Sequence, residues 1–375
     1  MTDLFSPITL GGVTLPNRVV LSPMCQYSAV EGVANDWHVI HLGRYAASGL
    51  GLIITEATHV SREGRITPGC LGLYTDAQEA ALKGIVASLK RHGKSPVGTQ
   101  LAHAGRKGSA EEPWRGGKAL AGAEAWQTLS ASALPHDTGW HVPKAMDEAD
   151  IARVTREFAD SAKRADRAGF DLVELHGAHG YLLHQFASPH SNKRTDKYGG
   201  SFENRMRFPL QVFDAVRAVW PKAKALGMRI TGSDWTPGEG LTPEDAVALA
   251  KILKDRGCDF VDVTGGGVSM QQKIALGPGY QVPFAAEVKK RTGIPTMAVG
   301  MITDPHQAQA IVAEGRADMV ALARAMLYDP LWTWHAADAL GASVFTPNPY
   351  LRGRAPTAPI PREVAPQQVK GVAAR

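Results

Sequence analysis

The sequence predicts an α/β fold consisting of a single (β/α)8 TIM barrel. Helical patterns repeatedly end at glycine and are followed by a short β-rich run, as in AASGLG before LIITEATHV and DRAGF before DLVELHG. Glycine accepts the left-handed conformation that often closes a helix, and strands that alternate with helices favour a parallel sheet. The 375 residues fit one large barrel or two ordinary domains. A doubly wound sheet usually carries GxGxxG after its first strand, and the GGG at 265–267 lacks that spacing.

Eight predicted strands alternate with helical patterns along the chain. They are expected in the runs VVLSPMCQ, LIITEATHV, PVGTQLAH, DLVELHG, MRITGSD, FVDVTGGG, PTMAVGMI and MVALARAM. The clearest helical patterns between them cover 76–92, 147–168, 202–219, 243–256 and 305–314. Eight such strand–helix units are the number that closes a barrel.

Two segments fall outside this rhythm. A long stretch rich in Gly, Pro, Trp and Ser, about 104–144, follows the third strand. Loops of this length usually form a functional lid or contain a small hairpin, and this one is expected on the carboxyl side of the barrel. The last segment, 355–375, has four prolines and no periodicity, so we expect a barrel over 1–354 and a flexible tail over 355–375.

Composition excludes several classes of protein. The net charge of +5 is small, and the basic runs RHGK, NKR and KKR are short, so no nucleic-acid partner is expected. The only cysteines are Cys25, Cys70 and Cys258; they form no CxxC motif, so no metal or iron–sulfur site is predicted. Few cysteines suit a reducing compartment. With no signal peptide and no apolar run of membrane length, a cytoplasmic protein with no membrane partner is expected.

The stretch LVELHGAHGYLLHQF, 172–186, carries the strongest functional signal. An apolar strand pattern ends at His176, and His179 and Tyr181 follow in a turn through Gly177 and Gly180. Barrel active sites lie at the carboxyl ends of the strands. Three hydrogen-bond donors at one strand end therefore predict a catalytic cluster, although capped or core histidines are the alternative.

Other strands carry polar residues at alternate positions, which share a face. Gln100 lies on the third strand, Arg229, Thr231 and Ser233 on the fifth, and Asp262 and Thr264 on the sixth. Barrel interiors are mostly branched and aliphatic. The polar residues therefore form either a mutually bonded cluster or a ligand site, and for Gln100 together with Arg229 the ligand site is favoured.

Longer motifs resemble the old yellow enzyme family of FMN-dependent ene-reductases. LPNRVVLSPMCQYSA, QLAHAGRKG, ELHGAHGYLLHQFASPHSNKRTDKYGGSFENRMRF and VGMI…ADMVALARAML are similar to family motifs and occur in family order. The SPMCQY form and the pair of His176 with His179 resemble the thermophilic-like bacterial branch. The resemblance spans about residues 4–354, and it implies non-covalent FMN over the carboxyl ends of the strands.

The resemblance also implies roles for individual residues. The flavin ring would lie along Pro23, Met24, Cys25 and Ala57. Its pyrimidine end would contact Gln100 and Arg229, and its phosphate would be held by Gly300, Ala323 and Arg324. The residues expected near the substrate are Tyr27, Lys107 and Arg352, with Arg354 as the rival of Arg352 for reaching a neighbouring subunit. A homodimer or homotetramer is expected.

The implied reaction reduces the C=C bond of an activated alkene, an α,β-unsaturated carbonyl or nitro compound. NADPH or NADH would reduce the flavin, and hydride would pass from flavin N5 to the β-carbon. His176 and His179 would donate hydrogen bonds to the substrate oxygen that gains charge, and Tyr181 would protonate the α-carbon.

Two rival hypotheses stay open on the sequence. A metal-dependent barrel hydrolase would use His176, His179 and His184, with Asp234 and Asp262 as carboxylates. A non-catalytic protein that binds flavin or a phosphate ligand on the same barrel is the second.

Overall fold

A closed barrel of eight parallel strands forms the centre of the computed structural model, which describes residues 3–354. The strands are β1 (Ile8–Leu10), β2 (Val13–Leu15), β3 (Val19–Leu21), β4 (Leu52–His59), β5 (Val97–Ala102), β6 (Leu129–Ser130), β7 (Lys144–Ala145), β8 (Leu172–Gly177), β9 (Ala225–Thr231), β10 (Phe260–Thr264), β11 (Thr296–Ala298) and β12 (Met319–Leu322). The barrel order is β3-β4-β5-β8-β9-β10-β11-β12, and β12 pairs with β3 to close it. The predicted α/β barrel is confirmed. The predicted tail, 355–375, lies outside the described residues.

Helices surround the barrel. They are α1 (Asp36–Ala46), α2 (Asp76–His92), α3 (Glu148–Arg167), α4 (Leu182–Ala187), α5 (Phe202–Val219), α6 (Pro243–Asp255), α7 (Val282–Thr292), α8 (Pro305–Ala313), α9 (Arg324–Tyr328) and α10 (Trp332–Ala339). The five predicted segments are α2, α3, α5, α6 and α8, each within one residue at both ends. Capping boxes fix such boundaries: the Thr75 hydroxyl accepts from the Gln78 N–H, and the Gln78 side chain accepts from the Thr75 N–H.

An apolar plug fills the amino-terminal half of the barrel. We give this name to the buried cluster of Leu10, Leu15, Val20, Leu52, Ile54, Leu172, Ala225, Phe260, Met297, Val299, Met319 and Ala321. The β1–β2 hairpin, which the sequence did not predict, closes this end with Leu10 and Leu15. A Cβ at Gly227 would lie 2.2 Å from the Phe260 ring, so glycine at this position lets the ring fill the barrel axis.

The long loop after β5 crosses the carboxyl end of the barrel. It contains three 3-10 turns, Gly105–Lys107, Pro113–Arg115 and Gly122–Glu124. Its strand β6 pairs with β7 in parallel, so this pair is not the hairpin considered from the sequence. The Arg106 guanidinium donates to the carbonyls of Leu134, Pro135 and Val268, which ties the loop to the segment after β10.

Within residues 3–354, no helix combines the length and apolar character needed to cross a bilayer.

Candidate active site

The predicted cluster of His176, His179 and Tyr181 comes together at the carboxyl end of β8. The His176 ring centroid lies 5.2 Å from that of His179 and 4.9 Å from that of Tyr181. The turn needs left-handed backbone at His179 (φ +57°) and Gly180 (φ +72°). A Cβ at Gly180 would lie 2.1 Å from the Gly267 carbonyl oxygen, so glycine is required where these two loops meet.

Both histidines are neutral. Burial, followed by the charge of Arg229, lowers the pKa of each ring well below its ordinary value. His179 Nε2 lies 2.9 Å from Thr264 Oγ1, and the Thr264 hydroxyl donates to Gln281 Oε1 at 2.9 Å. Because that hydroxyl proton is already used, His179 Nε2 carries the hydrogen of its bond to Thr264. His176 Nδ1 is buried and has no partner among the described residues; this nitrogen can bond to a ligand.

Lys107 packs against the Tyr181 ring of the cluster. Lys107 Nζ lies 4.9 Å from the Tyr181 ring centroid and donates to the carbonyls of His179 (2.9 Å) and Gly267 (3.2 Å). Burial raises the pKa of the Tyr181 phenol, which therefore keeps its proton at neutral pH. Burial and Arg106 lower the pKa of Lys107 to about 8. Lys107 thus joins two loops, and one of its three donors is left for a ligand.

His184 does not join the other two histidines. It is fully buried, and its Nδ1 accepts a hydrogen bond from the Gly180 N–H at 2.8 Å. Its Nε2 donates to Asp234 Oδ1 at 2.7 Å, and Asp234 Oδ2 accepts from the Ser188 hydroxyl at 2.6 Å. Across residues 3–354, no three His, Cys, Asp or Glu side chains are placed to hold a metal ion.

A polar layer lies on top of the apolar plug. We give this name to Gln100, Glu174, Arg229 and Asp262, which are all buried. Gln100 Nε2 donates to Glu174 Oε1 at 2.7 Å, and Arg229 Nε lies 3.1 Å from Asp262 Oδ2. The four side chains therefore form two pairs, one joined by a hydrogen bond and one by an ion pair, which agrees in part with the bonded cluster considered from the sequence. Arg229 nevertheless pairs in register with His176, and Gln100 pairs with Glu174, two residues before His176 on β8.

A bulge in β4 places Ala57 in the barrel mouth. The register with β5 shifts between Thr55 and Ala57, so Ala57 pairs with Gln100 and Glu56 is displaced from the ladder. Glu56 Oε2 accepts from the Gln26 N–H at 2.9 Å, and its Oε1 lies 3.4 Å from His38 Nε2. These contacts hold the segment 23–27, which carries the predicted residues Pro23, Met24, Cys25 and Tyr27, beside Ala57.

Cys25, Tyr27 and Tyr181 pack against one buried apolar cluster. Burial raises the pKa of the Cys25 thiol, which is therefore neutral. The ring of Tyr27 makes an edge contact with Trp114 of the long loop, at 5.8 Å between centroids. The loop thus forms one wall of the pocket in which these side chains meet.

A cavity of about 460 Å³ opens at the barrel mouth from His179 and Arg229 towards β11 and β12. The three predicted phosphate residues, Gly300, Ala323 and Arg324, all line it, together with Ser22 and Thr303 among others. Gly300 has a φ of +116°, and a Cβ there would lie 3.1 Å from the Gln281 nitrogen, so a side chain at this position would be strained.

Arg352 lies away from this cavity. It is exposed on the 3-10 helix Asn348–Arg354, where Tyr350 packs against Trp334 at 6.1 Å. It does not line the cavity of its own chain. Arg354 ends the same helix, so contact of either residue with a neighbouring subunit stays a prediction.

Comparison with known proteins identifies the family. A family model described as the NADH:flavin oxidoreductase / NADH oxidase family matches residues 3–342. The chain belongs to this family. Among curated proteins, it is 44% identical to the NADPH dehydrogenase of Geobacillus sp. (strain WCH70) and 45% identical to that of Geobacillus thermodenitrificans (strain NG80-2), each over 94% of this chain and 98% of the relative. Among solved structures, morphinone reductase in complex with tetrahydroNAD superposes with a TM-score of 0.76 at 29% identity, over 93% of both chains.

Family membership makes this protein a flavin oxidoreductase that uses FMN and a nicotinamide reductant. The resemblance to the old yellow enzyme family is confirmed. Both rival hypotheses are wrong, because the family is neither one of metal-dependent hydrolases nor one of non-catalytic binding proteins.

The cavity fits FMN. Arg229 and Arg324 both line it and supply positive charge, which suits a ligand with an anionic phosphate and a ring system that gains charge. A side chain at Gly300 would crowd Gln281, so glycine leaves space there for a ligand, and His176 Nδ1 is a buried polar atom with no partner among the described residues.

Three supporting residues have roles that the sequence did not indicate. Thr264 fixes the hydrogen of His179, Asp234 fixes His184, and Glu56 holds the segment 23–27. The sequence placed Thr264 on the same strand face as Asp262 and named Asp234 as a carboxylate of the rejected metal site, but it predicted neither contact. No local pattern identifies the partners of Asp234 and Glu56, because they lie 50 and 30 residues away in sequence.

Proposed function

We propose that this flavin oxidoreductase reduces the C=C bond of α,β-unsaturated carbonyl or nitro compounds, with NADPH or NADH as reductant. The observation that carries the proposal is the pair of neutral histidines, His176 and His179, with the protonated Tyr181 beside them. Such a group can hold one substrate oxygen and supply one proton.

His176 and His179 bind and polarise the substrate oxygen. The free Nδ1 of His176 donates to it when it carries the ring hydrogen, and His179 donates through Nε2, which shifts from Thr264 to the ligand. Each neutral imidazole still has one N–H group that can donate, and it adds no positive charge of its own to the pocket. Preorganised donors of this kind contribute about 3 kcal/mol each to the transition state.

Tyr181 delivers the proton to the α-carbon. Its phenol is protonated, because burial raises its pKa, and its ring is held against Lys107. When the phenol gives up its proton, the nearby ammonium stabilises the phenolate that forms. Trp114 of the long loop makes an edge contact with the Tyr27 ring, so the loop limits the access of water to this pocket.

The residues that would hold FMN are those that the resemblance implied. Pro23, Met24, Cys25 and Ala57 would line the ring, Gln100 and Arg229 its pyrimidine end, and Gly300, Ala323 and Arg324 the phosphate. When bound, FMN accepts a hydride from the nicotinamide and passes it to the β-carbon of the substrate. We also propose a cytoplasmic homodimer or homotetramer in which Arg352 of one subunit reaches the substrate pocket of another.

Turnover tests the proposal. The FMN-loaded protein is incubated with NADPH and 2-cyclohexenone without oxygen, and the product is identified by gas chromatography. We expect NADPH oxidation to depend on the enone and to yield cyclohexanone. A protein that binds FMN and oxidises NADPH only with oxygen, leaving enone, enal, maleimide and nitroalkene unreduced, would contradict the proposal.

A further inference from the structure

The polar layer contains two carboxyl groups and one basic side chain. Glu174 and Asp262 are fully buried, and Arg229 is the single cation among the four side chains of the layer. The apolar plug lies directly below and offers no counter-charge. A buried charge without a partner is destabilising, so the layer needs one further proton to balance its two carboxyl groups.

The contacts indicate which carboxyl group holds that proton. Asp262 forms an ion pair with Arg229, although neither of its carboxylate oxygens accepts a hydrogen bond among the described residues. Glu174 has no such cation: its Oε1 accepts from Gln100, and its Oε2 is buried without a partner. Burial, followed by the charge of Asp262, raises the pKa of Glu174 to about 8. Glu174 is therefore protonated at neutral pH.

The layer lies directly under the proposed pyrimidine end of the cofactor. Gln100 pairs in register with Glu174, and Arg229 with Asp262. Each side chain that would bond to the flavin thus has a carboxyl partner behind it. The inference that follows rests on the proposed position of FMN.

We propose that Asp262 and Glu174 together set the reduction potential of the bound flavin. Asp262 offsets part of the positive charge that Arg229 presents to the cofactor. Glu174 is the group whose protonation state changes when the cofactor gains negative charge. A hydride brings two electrons and one proton, so each reduction adds one negative charge above this layer.

The ionisation of Glu174 makes the reduction potential of the bound flavin depend on pH in a specific way. The charged groups that act on Glu174 are Asp262 and Arg229, while His176 and His179 are neutral. Below pH 8 Glu174 is protonated in both oxidation states, and no extra proton enters. Above pH 8 it is ionised while the flavin is oxidised, and the added charge of reduction raises its pKa. One proton is then taken up from solvent on reduction, and the potential falls more steeply with pH.

Midpoint potentials test this inference. They are measured on the FMN-loaded protein by equilibration with a reference dye between pH 6 and 10. Asp259→Asn is the matched control, because Asp259 lies three residues before Asp262, at the amino end of the barrel, where it accepts from the Leu226 N–H. We expect Asp262→Asn to favour reduced over oxidised FMN about tenfold, a shift of about +30 mV for two electrons. Glu174→Gln keeps the potential of the unmodified protein at pH 7 and loses the steeper slope above pH 8.

The outcomes separate this inference from the proposed function. A protein that takes up no FMN would overturn the proposed function itself. If FMN binds and NADPH reduces it, but both variants keep the potential of the unmodified protein at every pH, only the inference fails. Should a variant not fold, infrared spectra of the unmodified protein decide. A buried carboxylic-acid C=O band at pH 7 that disappears above pH 8 supports the inference, and its absence at pH 7 overturns it.

Discussion

The imidazole of His184 connects the Gly180 N–H to the carboxylate of Asp234, with 2.8 Å on one side and 2.7 Å on the other. The turn that carries His179 and Tyr181 is therefore tied, through the His184 ring, to the buried Asp234 carboxylate on the segment after β9. His179 and Gly180 both adopt left-handed backbone. The hydrogen bond to the Gly180 N–H helps hold this turn and therefore the positions of His179 and Tyr181.

Replacement of His184 should destabilise the protein. His184→Phe leaves the buried Asp234 carboxylate without its imidazole donor and the Gly180 N–H without an acceptor. We expect the free energy of unfolding in urea to fall by about 3 kcal/mol. His190→Phe, at a half-buried histidine on the same segment, is the control and should change it by less than about 0.5 kcal/mol. Equal stability of the two variants would contradict this role.

The two donor histidines should control the binding of phenols. His176→Ala and His179→Ala each remove one hydrogen bond to the ligand oxygen. We expect each variant to bind p-hydroxybenzaldehyde about tenfold to a hundredfold more weakly, since hydrogen bonds to charged groups contribute about 1.5–3 kcal/mol. The change in the flavin absorption spectrum on titration reports the affinity, and His92→Ala on the surface is the control. Unchanged affinity in both variants would exclude the pair from oxygen binding.

Tyr181→Phe should separate the two half-reactions. The variant lacks the phenolic proton but keeps the ring beside Lys107. We expect alkene reduction to slow about a hundredfold, while reduction of the flavin by NADPH changes little, as measured by rapid mixing of each half-reaction. Tyr328→Phe, at an exposed tyrosine, should leave both rates unchanged. Equal slowing of the two half-reactions would argue against proton donation.

Acid should unfold the protein through its buried histidines. Burial lowers the pKa of His59 to about 3 from an ordinary value of 6.5. The folded state therefore binds fewer protons than the unfolded state, and stability falls as the pH drops below about 6.5 towards 3. His59→Gln should reduce the slope of unfolding free energy against pH by up to about 1.4 kcal/mol per unit between pH 6 and 4. His92→Gln should leave the slope unchanged, and an equal slope in both variants would contradict the account.

Much of the fold could be predicted because local signals mark its boundaries. Thr75 with Gln78, and Asp147 with Asp150, form capping boxes that fix helix starts from a few neighbouring residues. The β1–β2 hairpin was missed because its strands are three residues long and turn through Gly11 and Gly12. Such short strands give too few residues for alternation to be visible.

The hydrogen-bond donors of the site could be predicted from the sequence, but the contacts that position them could not. His176, His179 and Tyr181 lie within six residues of one another, so one turn brings them together. The contact of Thr264 with His179 crosses 85 residues, and that of Glu174 with Gln100 crosses 74. These pairings depend on barrel register. The proton balance between Glu174 and Asp262 depends in addition on the apolar plug, which only the assembled barrel shows.

Anaerobic stopped-flow spectroscopy shows directly whether the bound flavin passes its electrons to an activated alkene. The FMN-loaded protein is mixed with one equivalent of NADPH, and then with an excess of 2-cyclohexenone, while the visible flavin band is followed. We expect the band to bleach in the first mixing and to return in the second without oxygen. A band that bleaches with NADPH and stays bleached with every activated alkene would contradict it.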